Sequence, residues 1–92
     1  MVKIIWSPDA LQDIDLIAKY ISKDSSNRAS MFVEKLISST DRLIEFPLSG
    51  RIIPELNDEN RREMIIDHYR IMYEYRNNEV WITAVFHSSK DF

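Results

Sequence analysis

Apolar residues follow two different periods along the chain, which divides it into a helical first half and a stranded second half. In two segments they recur every three or four positions, the spacing of an amphipathic helix. The first segment has Leu11, Ile14, Ile17 or Ala18, and Ile21; the second has Ala29, Phe32, Val33, Leu36, Ile37, Thr40, Leu43 and Ile44. Two such helices with a short connection predict an antiparallel helical hairpin.

Short polar segments mark the ends of these helices. Ser7-Pro8-Asp9 predicts the start of the first, because serine caps free N–H groups and proline suits the first turn. Ser22 to Ser26 breaks the pattern and supplies a second cap, and Phe46 to Gly50 ends the second helix. Gly50 is the only glycine, so we expect a positive φ there. We expect Arg51 to cap helix carbonyls or pair with Glu55.

The other segments predict β-strands. Val2 to Trp6 is a short β-rich segment, and Arg62 to Asp67 resembles a further strand that places Met64 and Ile66 toward the core. Asn77-Asn78 predicts a two-residue hairpin turn, because asparagine tolerates the positive φ that such turns require. This turn predicts a continuous register, from Arg76 opposite Glu79 through Met72 opposite Thr83 to Tyr69 opposite Phe86.

The residues of this hairpin then separate onto two faces of the sheet. The apolar face, which would receive the helices, contains Tyr69, Ile71, Tyr73, Tyr75, Val80, Ile82, Ala84 and Phe86. The mixed face, which could meet solvent, contains Arg70, Met72, Glu74, Arg76, Glu79, Trp81, Thr83, Val85 and His87. A turn around His68 is expected to place Asp67 near Arg70.

The order of elements predicts an α+β fold. It consists of an N-terminal strand, an antiparallel two-helix hairpin and a mostly antiparallel three-strand meander packed on the helices. A chain of 92 residues is expected to form a single domain over residues 1–92. The sequence does not identify the partner of the first strand.

Composition narrows the classes of function. The net charge is −3 with no basic half, which gives no support to binding nucleic acid through phosphates. There are no cysteines and two histidines without a flanking ligand pattern, so we expect no metal site and no cofactor. No long apolar segment suits a membrane span or a signal peptide, so we expect a cytoplasmic protein.

Six short motifs, spread along almost the whole chain, carry a family resemblance. They are I-I-W-S-P-D-A-L-Q-D-I with Tyr20-Ile21, F-P-L-S-G-R from Phe46, P-E-L from Pro54, R-E-M-I from Arg62, Y-R-I-M-Y from Tyr69 and V-F-H from Val85. In this order the chain resembles the RelE/ParE superfamily of type II toxin–antitoxin toxins, and more closely its ParE-like plasmid-stabilisation branch.

The resemblance implies a toxin that a cognate antitoxin neutralises. ParE-type toxins act on DNA gyrase, whereas RelE-type toxins cleave mRNA in the ribosome. The ParE-like reading implies a protein-binding inhibitor rather than an enzyme, with operator DNA contacted only indirectly through the antitoxin. A ribosome-dependent endoribonuclease is the alternative, and a toxin-fold protein without activity is a third reading.

The residues present favour the inhibitor. RNA cleavage needs a general base, a general acid and cations that stabilise the phosphorane; the candidates here are Arg70, His87 and Lys90. Relatives that cleave RNA commonly have an arginine where this chain has Ile65, and a lysine-rich loop where residues 52–60 contain no Lys or Arg. The tail after His87 also departs from the ParE pattern, with a single cation.

Candidate target- or partner-binding residues lie mainly on the mixed face. They are Arg51, Arg70, Met72, Trp81, His87 and Lys90. An exposed tryptophan beside Met72 suggests a surface that a partner covers. The competing structural interpretations pair Arg70 with Asp67 or Glu74 and make His87 a satisfied structural histidine. Apolar residues left at the margins of the helices, Met31 and Leu16 or Tyr20, are expected to face the antitoxin.

Overall fold

A computed structural model describes residues 1–89 and confirms the α+β architecture. The elements are β1 (Lys3–Trp6), α1 (Pro8–Ser22), α2 (Ser26–Ser39), a 3-10 helix (Thr40–Ile44), β2 (Arg51–Ile52), β3 (Arg61–Ile66), β4 (Tyr69–Arg76) and β5 (Glu79–His87). Lys90, in the predicted site, lies outside the described residues. Within the described part of the chain, no helix is long and apolar enough to cross a membrane.

The five strands form one mixed sheet in the order β1-β5-β4-β3-β2. The last three long strands form the predicted antiparallel meander, and β1 completes the far edge by pairing parallel to β5. The β4–β5 turn has φ values of 53° at Asn77 and 62° at Asn78, as the turn prediction requires. A non-local parallel pairing leaves no periodic signal, so the sequence did not identify the partner of β1.

The two helices begin as predicted and cover one face of the sheet. The Ser7 hydroxyl accepts from the Ala10 N–H (3.1 Å), and the Ser25 hydroxyl accepts from the Arg28 N–H (3.2 Å). The core between helices and sheet is built from Ala10, Ile14, Ile17, Leu36, Leu43, Met64, Ile71, Tyr73, Val80, Ile82 and Val85. Two members of the predicted helical stripes are exposed instead of buried: Leu11 is 54% and Ile37 is 44% exposed.

A β-bulge corrects the predicted register of the β4–β5 hairpin. Pairing is as predicted as far as Tyr73 opposite Ile82, but Met72 then lies opposite Ala84, so Thr83 is the extra residue. The shift moves every later side chain of β5 to the other face. Val85 therefore joins the core, whereas the prediction had placed Ala84 and Phe86 there. No glycine or proline lies near Thr83 in the sequence, so nothing local marked this bulge.

The bulge and the departure of the chain after Trp6 leave one side of β5 without a neighbouring strand. β1 pairs with β5 only as far as Ile82. Beyond that point the Val85 N–H donates to the Asp13 carboxylate of α1 (2.9 Å). A side chain thus supplies the acceptor that a neighbouring strand would have provided, as buried backbone groups require.

Gly50 has a different role from the predicted one. No glycine of the described chain has a positive φ. A Cβ at Gly50 would instead lie 2.7 Å from the Glu63 carbonyl oxygen and 2.7 Å from the Tyr73 hydroxyl, too close for any other residue. The Gly50 N–H donates to the same hydroxyl at 3.0 Å. Glycine is therefore required by the close approach of the loop to β3 and β4, which a local sequence pattern does not report.

Candidate functional site

The sheet face opposite the helices, which is the predicted mixed face and is here called the second face, is partly covered by the loop between β2 and β3. We call this loop the strap (residues 53–60). Its first residue, Ile53, is 2% exposed, and Met72 beneath it is 3% exposed. The strap is held at its ends by backbone hydrogen bonds, from the Ile53 N–H to the Arg61 carbonyl (3.1 Å) and from the Tyr75 N–H to the Asn60 carbonyl (2.9 Å). The prediction that this face meets solvent is therefore wrong beneath the strap, where Met72 is buried.

Arg70 lies in a buried ion network under the strap. Its Nε donates to Glu63 Oε1 (2.6 Å), and its two terminal nitrogens donate to the two oxygens of Glu55 (3.1 and 3.0 Å). The guanidinium is also 5.6 Å from the ring centre of Phe86. The predicted partners of Arg70 were wrong: Asp67 pairs with Lys35, and Glu74 pairs with Arg61 and Arg76.

Glu63 is the buried centre of this network. Its side chain has no exposed area and accepts from both Arg70 and Arg51, so neither predicted role of Arg51 is observed. The Arg51 side chain is 61% exposed and forms the outer limit of the network. A buried carboxylate between two arginines is stable only while both pairings persist.

The charges of the network favour its ionised form. Hydrogen bonds from the Arg70 guanidinium lower the pKa of Glu55 below its ordinary value. The same hydrogen bond to Glu55, with the carboxylate of Glu63, raises the pKa of Arg70 against the effect of burial. Because the three donor nitrogens of Arg70 are all engaged, this guanidinium has no open fork for a phosphate group.

Trp81 is on the second face beyond the strap, as predicted. It is 37% exposed, and its indole N–H donates to Glu79 (3.1 Å). Its neighbours across the sheet are Ile5 of β1 and Glu74 of β4. A half-open indole flanked by aliphatic and charged groups can bury apolar area against a protein surface. The predicted neighbour Met72 does not share this surface, because the strap buries it.

The bulge places His87 on the helix side of the sheet, so the prediction that it shares a face with Arg70 is wrong. His87 lies opposite Tyr69 in the sheet, and their rings meet edge to face at 5.4 Å. It also stacks on His68 at 6.0 Å, and its Nδ1 bonds the Ser89 hydroxyl at 2.7 Å. Because Arg70 and His87 are on opposite faces, they cannot act together on one phosphate.

The helix side carries a groove that we call the hairpin groove. It consists of two adjoining cavities of about 750 and 460 Å³ that meet at Tyr69. Phe32 packs on Tyr69 at 5.3 Å between ring centres and forms the floor with it. Its sides include the exposed apolar residues that were expected to face an antitoxin: Leu16 (57%), Tyr20 (69%) and Met31 (61%).

Sequence reasoning missed three contributors to these surfaces. Glu55 and Glu63 were not recognised as partners of Arg70, because alternation places Glu63 on the mixed face, where a charged side chain needs no buried partner, and only the strap buries it there. Tyr69 was assigned to the core but is shared by both cavities of the groove. Among residues 1–89, no three His, Asp or Glu side chains lie close enough together to hold a metal ion.

Comparisons with known proteins agree with this fold. Residues 4–92 match the model of the ParE toxin of the type II toxin–antitoxin system parDE. Over 91 residues the chain is 30% identical to "Putative toxin Y4kP" of Sinorhizobium fredii, covering 98% of this chain and 92% of that protein. Over 90 residues it is 27% identical to "Toxin RelE2" of Caulobacter vibrioides, covering 98% and 99% respectively.

A solved structure supports the fold independently. A chain of the chromosomal ParDE toxin–antitoxin system from P. aeruginosa superposes with a TM-score of 0.79 at 17% identity, over 95% of this chain and 96% of that chain. At this identity the match concerns the fold alone. The family match spans nearly the whole chain, and the resemblance to the RelE/ParE superfamily is confirmed. The chain belongs to the ParE family of type II toxin–antitoxin toxins.

Proposed function

We propose that this toxin acts by binding and inhibiting a cellular protein, with DNA gyrase as the target, and that a cognate antitoxin neutralises it in the cytoplasm. The observation that carries the proposal is the state of Arg70. Its donors are engaged by Glu63 and Glu55, and His87 lies on the opposite face. These residues therefore lack the combination of open cation and acid–base group that RNA cleavage requires.

The exposed surface around Trp81 supports a binding function. Aromatic side chains that are partly exposed contribute disproportionately to protein interfaces. Trp81 is on the sheet face opposite the helices, and the hairpin groove is on the helix side. We therefore assign the Trp81 surface to the target and the hairpin groove to the antitoxin. Arg51 and Lys90 stay candidate binding residues at the level of the sequence.

Expression without the antitoxin tests the target. The chain is induced in bacteria, and the DNA damage response is followed beside the rate of protein synthesis. Inhibition of gyrase predicts an early damage response while translation continues. Purified toxin should also inhibit DNA supercoiling by purified gyrase. Rapid arrest of translation with intact DNA would support mRNA cleavage instead. Absence of any toxicity would support a toxin-fold protein without activity.

Matched substitutions separate the two surfaces. Trp81→Ala removes the proposed target contact, whereas Ile65→Ala removes an apolar side chain of similar exposure (46%) elsewhere on the sheet. We expect Trp81→Ala to reduce inhibition of gyrase and leave antitoxin binding intact. Ile65→Ala should change neither. Equal inhibition by all three proteins would exclude the Trp81 surface.

A further inference from the structure

A small pocket lies between the strap and the second face of the sheet, and we call it the strap pocket. Its volume is about 200 Å³. Five apolar side chains and one threonine form most of its lining: Ile53, Leu56, Met72, Thr83, Ala84 and Phe86. Thr83 is exposed, so the pocket reaches the surface of the protein at this residue.

The β-bulge of β5 forms one wall of the strap pocket. In a regular strand, consecutive side chains point to opposite faces of the sheet. Here the consecutive residues Thr83 and Ala84 both line the pocket, because the extra residue shifts Ala84 to the position opposite Met72. Ala84 has only a methyl group, so it leaves space beside the strap that a larger side chain would fill.

The polar groups around the strap pocket are paired with one another. Arg61 and Arg76 both bind the Glu74 carboxylate, at 3.2 and 2.9 Å. The Thr83 hydroxyl donates to the Met72 carbonyl at 3.3 Å. Within residues 1–89, every buried side-chain nitrogen or oxygen has a hydrogen-bond partner. An apolar cavity of about 150 Å³ binds benzene, so the strap pocket suits one uncharged apolar group of about that size.

The charge of the strap favours a protein over a nucleic acid as the source of this group. A nucleobase would bring its phosphate to the edge of the pocket, where it would need a cation. The strap contains Glu55, Asp58 and Glu59 and no Lys or Arg. Among residues 1–89, Arg61 is the one cation that lines the pocket, and Glu74 binds it. An apolar side chain of a protein brings no such charge.

The strap pocket is continuous with the Trp81 surface. Trp81 is two positions before Thr83 on the same face, which corresponds to about 7 Å along the strand, and both residues are exposed. Glu74 lies opposite Trp81 in the sheet and also lines the pocket. Protein interfaces concentrate their binding energy where one side chain fills a pocket beside an aromatic residue.

We infer that the strap pocket receives one apolar side chain of the target protein, of about the size of leucine or phenylalanine, while Trp81 packs beside it. The inference rests on the proposed function, in which the Trp81 surface binds the target. Met72 and Ala84 form the base of the site, and Leu56 of the strap covers the inserted group. The bulge thus supplies a binding site as well as a change of register.

Benzene is the probe for the pocket itself. It is added to the full chain carrying isotope-labelled methionine methyl groups, which are followed by NMR. We expect a saturable shift of the Met72 methyl group, and no shift of Met64, which lies in the core on the other face. Ala84→Leu fills the pocket and should abolish the Met72 response. Absence of a saturable shift in the wild type would overturn the inference, and so would displacement of benzene by adenosine monophosphate.

Toxicity and inhibition of gyrase test whether the target uses the pocket. Ala84→Leu and Thr83→Leu are compared with Ala18→Leu, which enlarges another partly buried alanine on α1, outside the pocket. Thermal unfolding establishes how much of each variant is folded, and Thr83→Leu is informative even if Ala84→Leu does not fold, because Thr83 is exposed. We expect both pocket variants to lose roughly tenfold or more in activity per folded molecule, with Ala18→Leu within about twofold of wild type.

The outcomes separate the inference from the proposed function. If the folded pocket variants are as active as Ala18→Leu, the inference is overturned, while inhibition of gyrase by the wild type still supports the proposed function. If the wild type is toxic without inhibiting gyrase, the proposed target is wrong. A selective loss of toxicity in the two pocket variants would then still support insertion of an apolar side chain from another target protein.

Discussion

Arg70 and Glu55 form a two-pronged ion pair, with both oxygens of the carboxylate bound by the two terminal nitrogens of the guanidinium at 3.1 and 3.0 Å. This pair joins the strap to the central strand of the sheet. Glu63 receives the remaining nitrogen of Arg70 from below. The arginine that the sequence offers as a working residue therefore closes the strap over the sheet.

The first prediction concerns Glu63 and Arg70 as a coupled pair. Because the Glu63 side chain has no exposed area, Arg70→Met or Glu63→Met should each lower the unfolding free energy by roughly 3–5 kcal/mol, leaving a buried charge with fewer partners. The double variant should cost clearly less than the sum. Urea unfolding of the four proteins gives the coupling energy. Additive losses would mean that the two side chains do not interact.

Acid stability provides a second prediction, for Glu55. The bonds from Arg70 lower its pKa in the folded state, so the ion pair stabilises the fold fully above the unfolded pKa, near 4.5. That contribution should disappear as the pH falls below this value and Glu55 becomes protonated. Glu55→Gln should accordingly be less stable than wild type at pH 7, and the difference should shrink as the pH falls below about 4.5 through the lowered folded-state pKa. A difference that is constant across this range would contradict the assignment.

Gly50 provides a third prediction, based on space rather than on φ. Gly50→Ala places a methyl group against the Glu63 carbonyl and the Tyr73 hydroxyl, so we expect a loss of roughly 1–3 kcal/mol. Tyr73→Phe in the same background should recover only part, because the carbonyl contact stays. Thermal or urea unfolding measures both. A Gly50→Ala protein as stable as wild type would contradict the close approach.

The β4–β5 turn supplies a fourth prediction that does depend on φ. Asn77 has a φ of 53°, which is strained for β-branched residues. Asn77→Gly should leave stability unchanged or raise it slightly, and Asn77→Val should lower it by roughly 1–2 kcal/mol. The neighbouring Asn78 is less suitable, because its side chain also donates to the Met1 carbonyl at 3.2 Å. Equal stability of the Gly and Val variants would exclude this turn geometry.

A fifth prediction separates folding from toxicity. Trp81→Ala removes an indole that is 37% exposed and otherwise packed, so some stability should be lost, yet toxicity should fall much further than the loss of folded protein explains. Arg70→Ala should reduce toxicity only in proportion to the folded protein that it loses. Comparing growth inhibition with the amount of soluble folded toxin distinguishes the two. A stable, fully folded Arg70→Ala toxin without activity would restore a direct role for this arginine.

The local sequence pattern determined the helix starts, the β4–β5 turn and most of the core positions of this protein. The helix caps at Ser7 and Ser25, the Asn77-Asn78 turn and most core positions follow from residue chemistry and period alone, because each depends on neighbours within a few positions. The motifs spread along the chain also identified the superfamily. The exposure of Trp81 followed correctly from counting alternate positions along β5 from the turn.

Only the tertiary structure decided which side chains come into contact with each other. One extra residue at Thr83 moved His87 away from Arg70, and the energy of such a bulge depends on how β5 packs between two strands and α1 rather than on local sequence. The strap brought Glu55 to Arg70 across 15 positions, and Gly50 meets Tyr73 across 23. Ion pairs and close contacts between distant segments have no period, so the sequence supplied their residues while the packing selected the partners.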